Sequence, residues 1–404
     1  MQEAGTRIIL DAGLPLTPQS SSGPLLRIPG LFGNVGAAVD AVLLSHAHPD
    51  HSGLLWRSRD DVPLWLSQGT SKMAAAASLF AAMPEVPRHR QRIFPDRTPF
   101  RIGGFEITAY PVDHSIYGSV AFLIRGGGKN VAYTGDLRFS GRKSGMEQSL
   151  AEALSRAPLD ILLIEGTRLG TRSTEPRVTE SALEEQLCRD ARTCSGLMLA
   201  MYSPLNVDRF VTFLRVAQRT GRTLVIDPYQ AYVRHLLGRG VRIPVPSSRG
   251  VLRVLVPPRF STSRVGRRLR RTRWMSGLSS ASITSSEIKG SPAKYLILYR
   301  PTMQRWLFPR GYPTGTTAVF SYWAGYLRSP QWMSQVGEMV SAGVRFVERH
   351  VSGHAHPTDL AAFAQRVSPR LLIPIHTDTP EAWAGCWSGR VQVATDGLPI
   401  DLGS

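Results

Sequence analysis

His46-Ala47-His48-Pro49-Asp50-His51 stands directly behind the apolar run Ala41-Val42-Leu43-Leu44, so three imidazoles and a carboxylate fall within six residues at the end of a predicted strand. Imidazole and carboxylate donors suit zinc, with Mn²⁺ or Fe²⁺ as alternatives, and a turn after a buried strand aims alternate side chains at one point. A set of solvated loop histidines would need neither the His-x-His-x-Asp-His alternation, nor the strand before it, nor the Gly53 turn behind it. Further polar residues follow apolar runs downstream. They are His114 in Val112-Asp113-His114-Ser115, Asp136 in Ala132-Tyr133-Thr134-Gly135-Asp136, and His376 after Leu371-Leu372-Ile373-Pro374-Ile375. A lone histidine at such a place is most often a satisfied loop residue. In order behind the hexad, these residues supply the number of ligands that a two-metal site needs.

The chain of 404 residues has room for about two or three domains with sizeable cores, and its 42% hydrophobic content fits a globular protein. No stretch approaches the ~18 continuous apolar residues of a membrane span, and the first residues lack a secretory pattern. A cytoplasmic protein with no membrane partner is therefore expected. Cys188, Cys194 and Cys386 form no CxxC pair and are read as ordinary buried thiols. Lys and Arg number 48 against 30 Asp and Glu, a net charge of +18, and a surface that basic attracts polyanions. Lysine occurs only at 72, 129, 143, 289 and 294. Arginine, which supplies the rest, forks phosphate and stacks on bases, so the expected partner is RNA, with single-stranded DNA as the alternative.

An apolar run from Thr6 to Asp11 reads as a strand ending in a turn, and residues 17–38 as a Gly/Ser/Pro-rich loop. Strands are predicted at 41–45, 63–67, 105–110, 120–124, 131–133 and 160–164, with helices at 72–83 and 147–156. This alternation predicts an α/β protein with its site at one edge of the sheets. A second region begins near 180: helix 179–194, strand 197–200, helix 207–220, strand 223–226 and helix 229–237, in outline a mononucleotide-binding type of sheet. From Arg249 to Arg273 there are nine arginines and no acid. The amphipathic stretch 264–271 within it is either a solvated basic helix or a contact surface for a substrate strand. Strands at 295–299 and 317–322 and a helix at 330–342 follow.

The series of motifs resembles the metallo-β-lactamase fold, and more closely the β-CASP branch of nucleic-acid-processing nucleases, ribonuclease J-like proteins among them. The resemblance implies an α/β architecture: a four-layer αββα sandwich built from 1–185 and 346–404, with an inserted α/β β-CASP domain at 186–345. It implies that Asp11 orients the hexad. His46, His48 and His114 would bind one metal, Asp50, His51 and His376 the other, and Asp136 would bridge them. The implied cofactors are two Zn²⁺, with Mn²⁺ as the alternative. The branch adds an acid and two histidines, matched here by Glu165 in Leu163-Ile164-Glu165-Gly166-Thr167, His354 in Ser352-Gly353-His354-Ala355, and His376. A histidine in the last place goes with RNA-processing members, whereas DNA-processing members commonly carry Val. Ser203-Pro204-Leu205-Asn206-Val207-Asp208-Arg209 and Ser321-Tyr322-Trp323-Ala324-Gly325-Tyr326 also resemble bacterial members. The family usually has two strands ahead of the Asp11 strand. Here only ten residues precede Asp11, so a truncated start or an unpaired sheet edge is expected. The C-terminal domain through which ribonuclease J dimerises is not expected after Asp396-Gly397, and the oligomeric state stays open.

The function this implies is metal-dependent hydrolysis of RNA phosphodiesters, endonucleolytic or from the 5′ end. Asp50 or Asp136 would orient the attacking water, and His354, steered by Glu165, would protonate the leaving 3′ oxygen. Ser352, Ala355 and Arg209 are candidates for holding substrate phosphate. Three rivals are a DNA exonuclease or repair nuclease, a small-molecule metallo-hydrolase such as a lactonase or thioesterase, and a non-catalytic RNA-binding scaffold. His376 favours RNA over DNA, and the basic insert opposes a small substrate. The full ligand set opposes a scaffold.

Overall fold

The computed structural model describes residues 1–15, 28–33, 36–143, 145–170, 176–238 and 240–401, so much of the expected loop 17–38 lies outside the described residues. The chain divides into two compact units, Met1–Arg177 with Gly353–Ser404, and Val178–Ser352.

The first unit holds two sheets. In one, β1 (Gln2–Glu3) pairs antiparallel with β2 (Thr6–Leu10), and β2, β3 (Ala41–Leu44), β4 (Leu64–Leu66) and β5 (Gln91–Ile93) follow in parallel. The outer edge of β2 is therefore paired, by a two-residue strand that the sequence reading lacked. The other sheet is an antiparallel meander of β6 (Phe100–Ile102), β7 (Phe105–Pro111), β8 (Val120–Gly126) and β9 (Lys129–Tyr133). To it β10 (Ile161–Glu165) and the C-terminal strand Leu371–Ile375 are added in parallel.

Side-chain alternation along β8 explains the layering, because successive residues of a strand face opposite sides. Val120, Phe122 and Ile124 join Ile8, Ala41 and Leu43 in the core between the sheets. Ala121 and Leu123 face the other way, into a core with Leu150 and Leu154 of helix Gly145–Leu154 and Leu360 and Phe363 of helix Pro357–Val367. On the first sheet Val42 and Leu44, which alternate with Ala41 and Leu43, are also fully buried. The Ala-rich helix Gln68–Ala81 buries Met73, Ala76 and Ala77 and starts where the Ser67 hydroxyl accepts the Thr70 N–H. The result is the expected αββα sandwich. Truncating Phe122 to Ala would cost about 3–5 kcal/mol, since its ring is wholly enclosed.

The second unit holds a sheet of β11 (Met198–Met201), β12 (Thr223–Ile226), β13 (Leu252–Val254), β14 (Tyr295–Leu298), β15 (Thr317–Phe320) and β16 (Arg345–Glu348). All are parallel, in the order β13-β12-β14-β11-β15-β16. Strands covered on both faces read as unbroken apolar runs, as Met198-Leu199-Ala200-Met201 does. This unit extends beyond the expected 186–345 at both ends. Helix Glu180–Thr193 packs on helix Val207–Arg219, and β16 completes the sheet against β15, so the boundaries fall outside both elements. Helix Arg264–Leu269 buries Gly266 and Leu269 and exposes Arg264, Arg267 and Arg268. Cys188 and Cys194 are buried as expected, but Cys386 is exposed: the turn Pro380–Gly385 before it anchors itself through Trp383 instead. No helix among the described residues is long and apolar enough to cross a membrane.

Candidate metal centre

The centre lies in the first unit, at the carboxyl ends of its parallel strands. β2 leads into Asp11, β3 into Ser45 and His46, and β9 toward Asp136; β10 ends at Glu165, and the last strand leads into His376. Proline at the first helical position starts a single turn, Pro49–Ser52, which carries Asp50 and His51 back toward His46. The segment behind Asp11 is laced to that turn: Ala12 N–H donates to His51 O at 2.7 Å and Leu14 N–H to Pro49 O at 2.9 Å. Gly13 lies between them, where a Cβ would fall 1.5 Å from Asp50 O, so only glycine permits this approach.

Asp136 is the hub. Its side chain is 1% exposed, and its Oδ2 lies 3.5 Å from His46 Nε2 and 3.6 Å from His114 Nε2. Its Oδ1 lies 3.4 Å from His51 Nε2 and 3.8 Å from His376 Nδ1. His48 Nδ1 is 3.0 Å from His46 Nε2 and 3.1 Å from His114 Nε2. His46, His48, His114 and Asp136 form one group of converging ligand atoms, and Asp50, His51 and His376 form another.

Neighbouring groups set the tautomers, which leaves chosen nitrogens facing inward. The Gly353 carbonyl can only accept, so His114 Nδ1 donates to it at 2.6 Å and Nε2 is left with a lone pair. Asp11 Oδ2 likewise receives His51 Nδ1–H at 2.7 Å, together with the Ser45 and Tyr133 hydroxyls at 2.6 Å each. Thr167 Oγ1 donates to His376 O at 3.2 Å and so accepts from His376 Nδ1 at 2.7 Å, which aims Nε2 at Asp50 Oδ2, 3.1 Å away. Both Asp11 (φ 56°) and His376 (φ 49°) adopt the left-handed backbone, uncommon for residues other than glycine and frequent at functional sites.

Charge divides the two groups. Burial, with His51 adding, holds His46 far below the ordinary imidazole range; burial does the same to His114 and brings His48 to about 4. Burial also opposes protonation of His51 and His376, but Asp136 overcomes it at both. Asp11 adds to the effect at His51 and the Asp50 bond at His376, so His51 is raised well above its usual value and His376 to about 9. Burial opposes ionisation of Asp50, yet the His376 hydrogen bond and His51 take its carboxyl down to about 2. Asp136 is depressed in the same way by His51, His376 and His354.

Glu165 is fully buried and accepts the Leu137 N–H at 2.8 Å and the Thr167 N–H at 3.3 Å. His354 Nδ1 is 3.2 Å from Glu165 Oε2 and 3.7 Å from Asp136 Oδ2, and its ring stacks on His376 at 5.4 Å. Burial would lower its pKa, but Glu165 and Asp136 raise it above the imidazole norm.

Two residues expected on substrate phosphate lie elsewhere. Arg209 is wholly buried, spending its guanidinium on Ser321, on Glu180 Oε1 at 3.2 Å and on Val351 O at 3.1 Å, so it is a structural tie. The Ala355 side chain is core, packed with Val112 and Leu360. Ser352 is half-buried and closes the second unit. Sequence reasoning missed Ser45, Tyr133 and Thr167, although each adjoins or lies within a quoted motif.

Whether cations fit is answered by orphaned atoms. Both oxygens of Asp136 and Nε2 of His51 are buried without a hydrogen-bond partner among the described residues. A buried carboxylate with no donor is costly unless a cation satisfies it. Imidazole and carboxylate donors suit divalent zinc or manganese.

Residues 6–192 match the beta-lactamase superfamily domain. The chain is 24% identical over 406 residues to Ribonuclease J of Sinorhizobium meliloti, covering 96% of this chain and 67% of that protein. It is 24% identical over 421 residues to Ribonuclease J of Mycolicibacterium smegmatis, covering 98% and 68%. Among solved structures, a protein of unknown function from Enterococcus faecalis V583 superposes with a TM-score of 0.76 over 97% of this chain and 93% of that one, at 21% identity. That likeness speaks for the fold.

Proposed function

We propose that this chain, which belongs to the metallo-β-lactamase superfamily in its β-CASP branch, hydrolyses the phosphodiester bonds of RNA. The observation that carries the reading is Asp136, a buried carboxylate without donors and ringed by imidazole nitrogens. His46, His48 and His114 would hold one cation, Asp50, His51 and His376 a second, and Asp136 both. Bound, two such ions supply Lewis acidity toward a phosphate and activate a water near neutral pH. Asp50 or Asp136 would orient that water. His354, kept protonated by Glu165, delivers its proton to the departing 3′ oxygen. Two features favour RNA: the relatives matched over nearly the whole chain are named ribonucleases, and the net charge of +18 suits a polyanion.

The test is purified full-length chain, metal analysis, and RNA labelled at either end, with 5′-monophosphate, 5′-triphosphate and circular forms, against single-stranded DNA as competitor. The expected result is RNA cleavage that a chelator abolishes and Zn²⁺ or Mn²⁺ restores, with cleavage of the circle marking endonucleolytic action. Metal-loaded protein that leaves RNA intact overturns the reading, and preferential cleavage of the DNA replaces it with a DNA nuclease.

A further inference from the structure

Between Asp227 and Glu287 the chain carries twelve arginines and no acid, and half of those arginines fall within the ten residues from Arg264 to Arg273. Two short helices of the second unit hold them. Helix Arg264–Leu269 starts where the Ser263 hydroxyl accepts the Gly266 N–H at 3.0 Å. It presses so closely on the turn Phe260–Thr262 that a Cβ at Gly266 would fall 2.0 Å from Phe260 O. Gly266 and Leu269 face inward, so Arg264, Arg267 and Arg268, at positions i, i+3 and i+4, form one outward stripe. Helix Arg273–Ser280 repeats the pattern. Leu278 is buried and Trp274 packs edge-on against Tyr232 at 5.3 Å, which turns Arg273, Ser276, Gly277 and Ser280 outward at i, i+3, i+4 and i+7. Arg270 and Arg271 are exposed in the turn between the two helices.

All six arginines are exposed, and none makes an ion pair among the described residues. Other arginines of the same unit are paired: Arg215 with Glu184 at 2.9 Å, and Arg219 with Glu184 at 2.9 Å and Glu185 at 2.6 Å. Like charges set this close repel one another, and a polyanion that neutralises them gains further from the counterions it releases. The rest of the surface suits a phosphate chain. Ser276 and Ser280 offer hydroxyl donors, and at Gly277 a Cβ would meet nothing within 4 Å, so bare backbone is open to close approach. No large apolar side chain is exposed between residues 259 and 283. A helix that lies on a membrane turns its apolar face outward, whereas here that face is buried. With no exposed ring to stack on a base, the contact this surface can make is with the sugar–phosphate backbone, which carries no sequence information.

We propose that these two helices and the turn between them form a docking surface for the sugar–phosphate backbone of RNA, engaged by charge and without regard to base sequence. The choice of RNA rests on the nuclease reading; the polyanion chemistry does not. The test is the affinity of the metal-loaded full chain for fluorescein-labelled oligouridylate and oligoadenylate of about 24 nucleotides with phosphorothioate linkages, followed by anisotropy from about 50 to 400 mM KCl. Three proteins are compared: the parent, the triple variant Arg264→Gln, Arg267→Gln, Arg268→Gln, and a charge-matched control, Arg101→Gln, Arg366→Gln, Arg370→Gln. The control arginines are exposed and already paired, with Glu106, Glu152 and Asp160. In the first variant the slope of log affinity against log salt should become shallower by about 2, three contacts at about 0.7 each, with both oligonucleotides. The control should keep the parent's slope to within about 0.5, and circular dichroism and metal content should be unchanged in both. A change below about 1 in the first variant, an equal change in the control, or a change with one base only overturns the surface. So does an unchanged RNA slope beside lost binding to phosphatidylserine vesicles, which would assign the patch to a lipid surface. A shallower slope in a protein that cleaves no RNA leaves the docking surface standing and removes only the nuclease reading.

Discussion

Parallel strands in both units end in buried polar groups, but the deficits are of opposite sign. Among the candidate ligands behind β3 and β9, the unmet atoms are the two oxygens of Asp136, which can only accept, and Nε2 of His51. Behind β11 and β14 they are donors, the Tyr202 hydroxyl and Arg300 Nη2. Burial costs the same kind of free energy in both places. The sign of the deficit differs: the edge in the first unit calls for a cation, and the edge in the second does not.

The hardest blow to this contrast is Asp136→Asn, which replaces the central carboxylate with a neutral amide. Metal retained after dialysis should fall to near zero and RNA cleavage by about 10³-fold or more, the loss of several kcal/mol of transition-state stabilisation. Full metal content in this variant would break the comparison. His354→Ala separates proton delivery from metal holding: metal content should stay near that of the parent while kcat falls about 10²–10³-fold. The raised pKa of His354 sets the sign of the pH dependence, since its proton is present below that pKa and lost above it. The alkaline limb of the parent's kcat profile should therefore vanish in the variant. Equal loss of metal in His354→Ala and His48→Ala would instead make His354 a ligand. Asp11→Asn leaves every direct ligand in place and removes the charge that fixes His51, so metal affinity should drop about 10–100-fold, read by competition with a chromophoric chelator.

The finest distinction lies within the acceptor-rich edge. At pH 7 His48, at about 4, is neutral, as are His46 and His114, whereas His376, at about 9, and His51 carry protons in the metal-free protein. A cation entering at Asp50, His51 and His376 must displace those protons; one entering at the three neutral histidines displaces almost none. Calorimetric titration with Zn²⁺ in buffers of different ionisation enthalpy should resolve two phases, with proton release confined to the weaker. That phase should weaken further as the pH is lowered from 9, while the other holds until near 4. Equal proton release in both phases would show the two groups to be equivalent.

The candidate ligands were legible in the sequence because histidine and aspartate at the ends of apolar runs announce both their chemistry and their place. His46, His48, Asp50, His51, His114, Asp136 and His376 all converge within the first unit. The supporting contacts were less readable. Ser45 matters because its hydroxyl donates to Asp11 beside the His46 and His51 rings, Thr167 because its hydroxyl meets His376, and the Gly353 carbonyl that orients His114 has no residue type to betray it. Arg209 read as a phosphate ligand because arginine so often is one; its burial against Glu180 depends on a helix contact that no local pattern encodes. β1, β5, β6 and β13, of two or three residues each, are too short to display alternation.

His376 bends left-handed where the backbone would be more comfortable as glycine or asparagine. Stability and chemistry thus pull this one position in opposite directions. A laboratory population selected for heat tolerance alone, with no demand on catalysis, should drift there early, and the fittest survivors of such a regime would be inert.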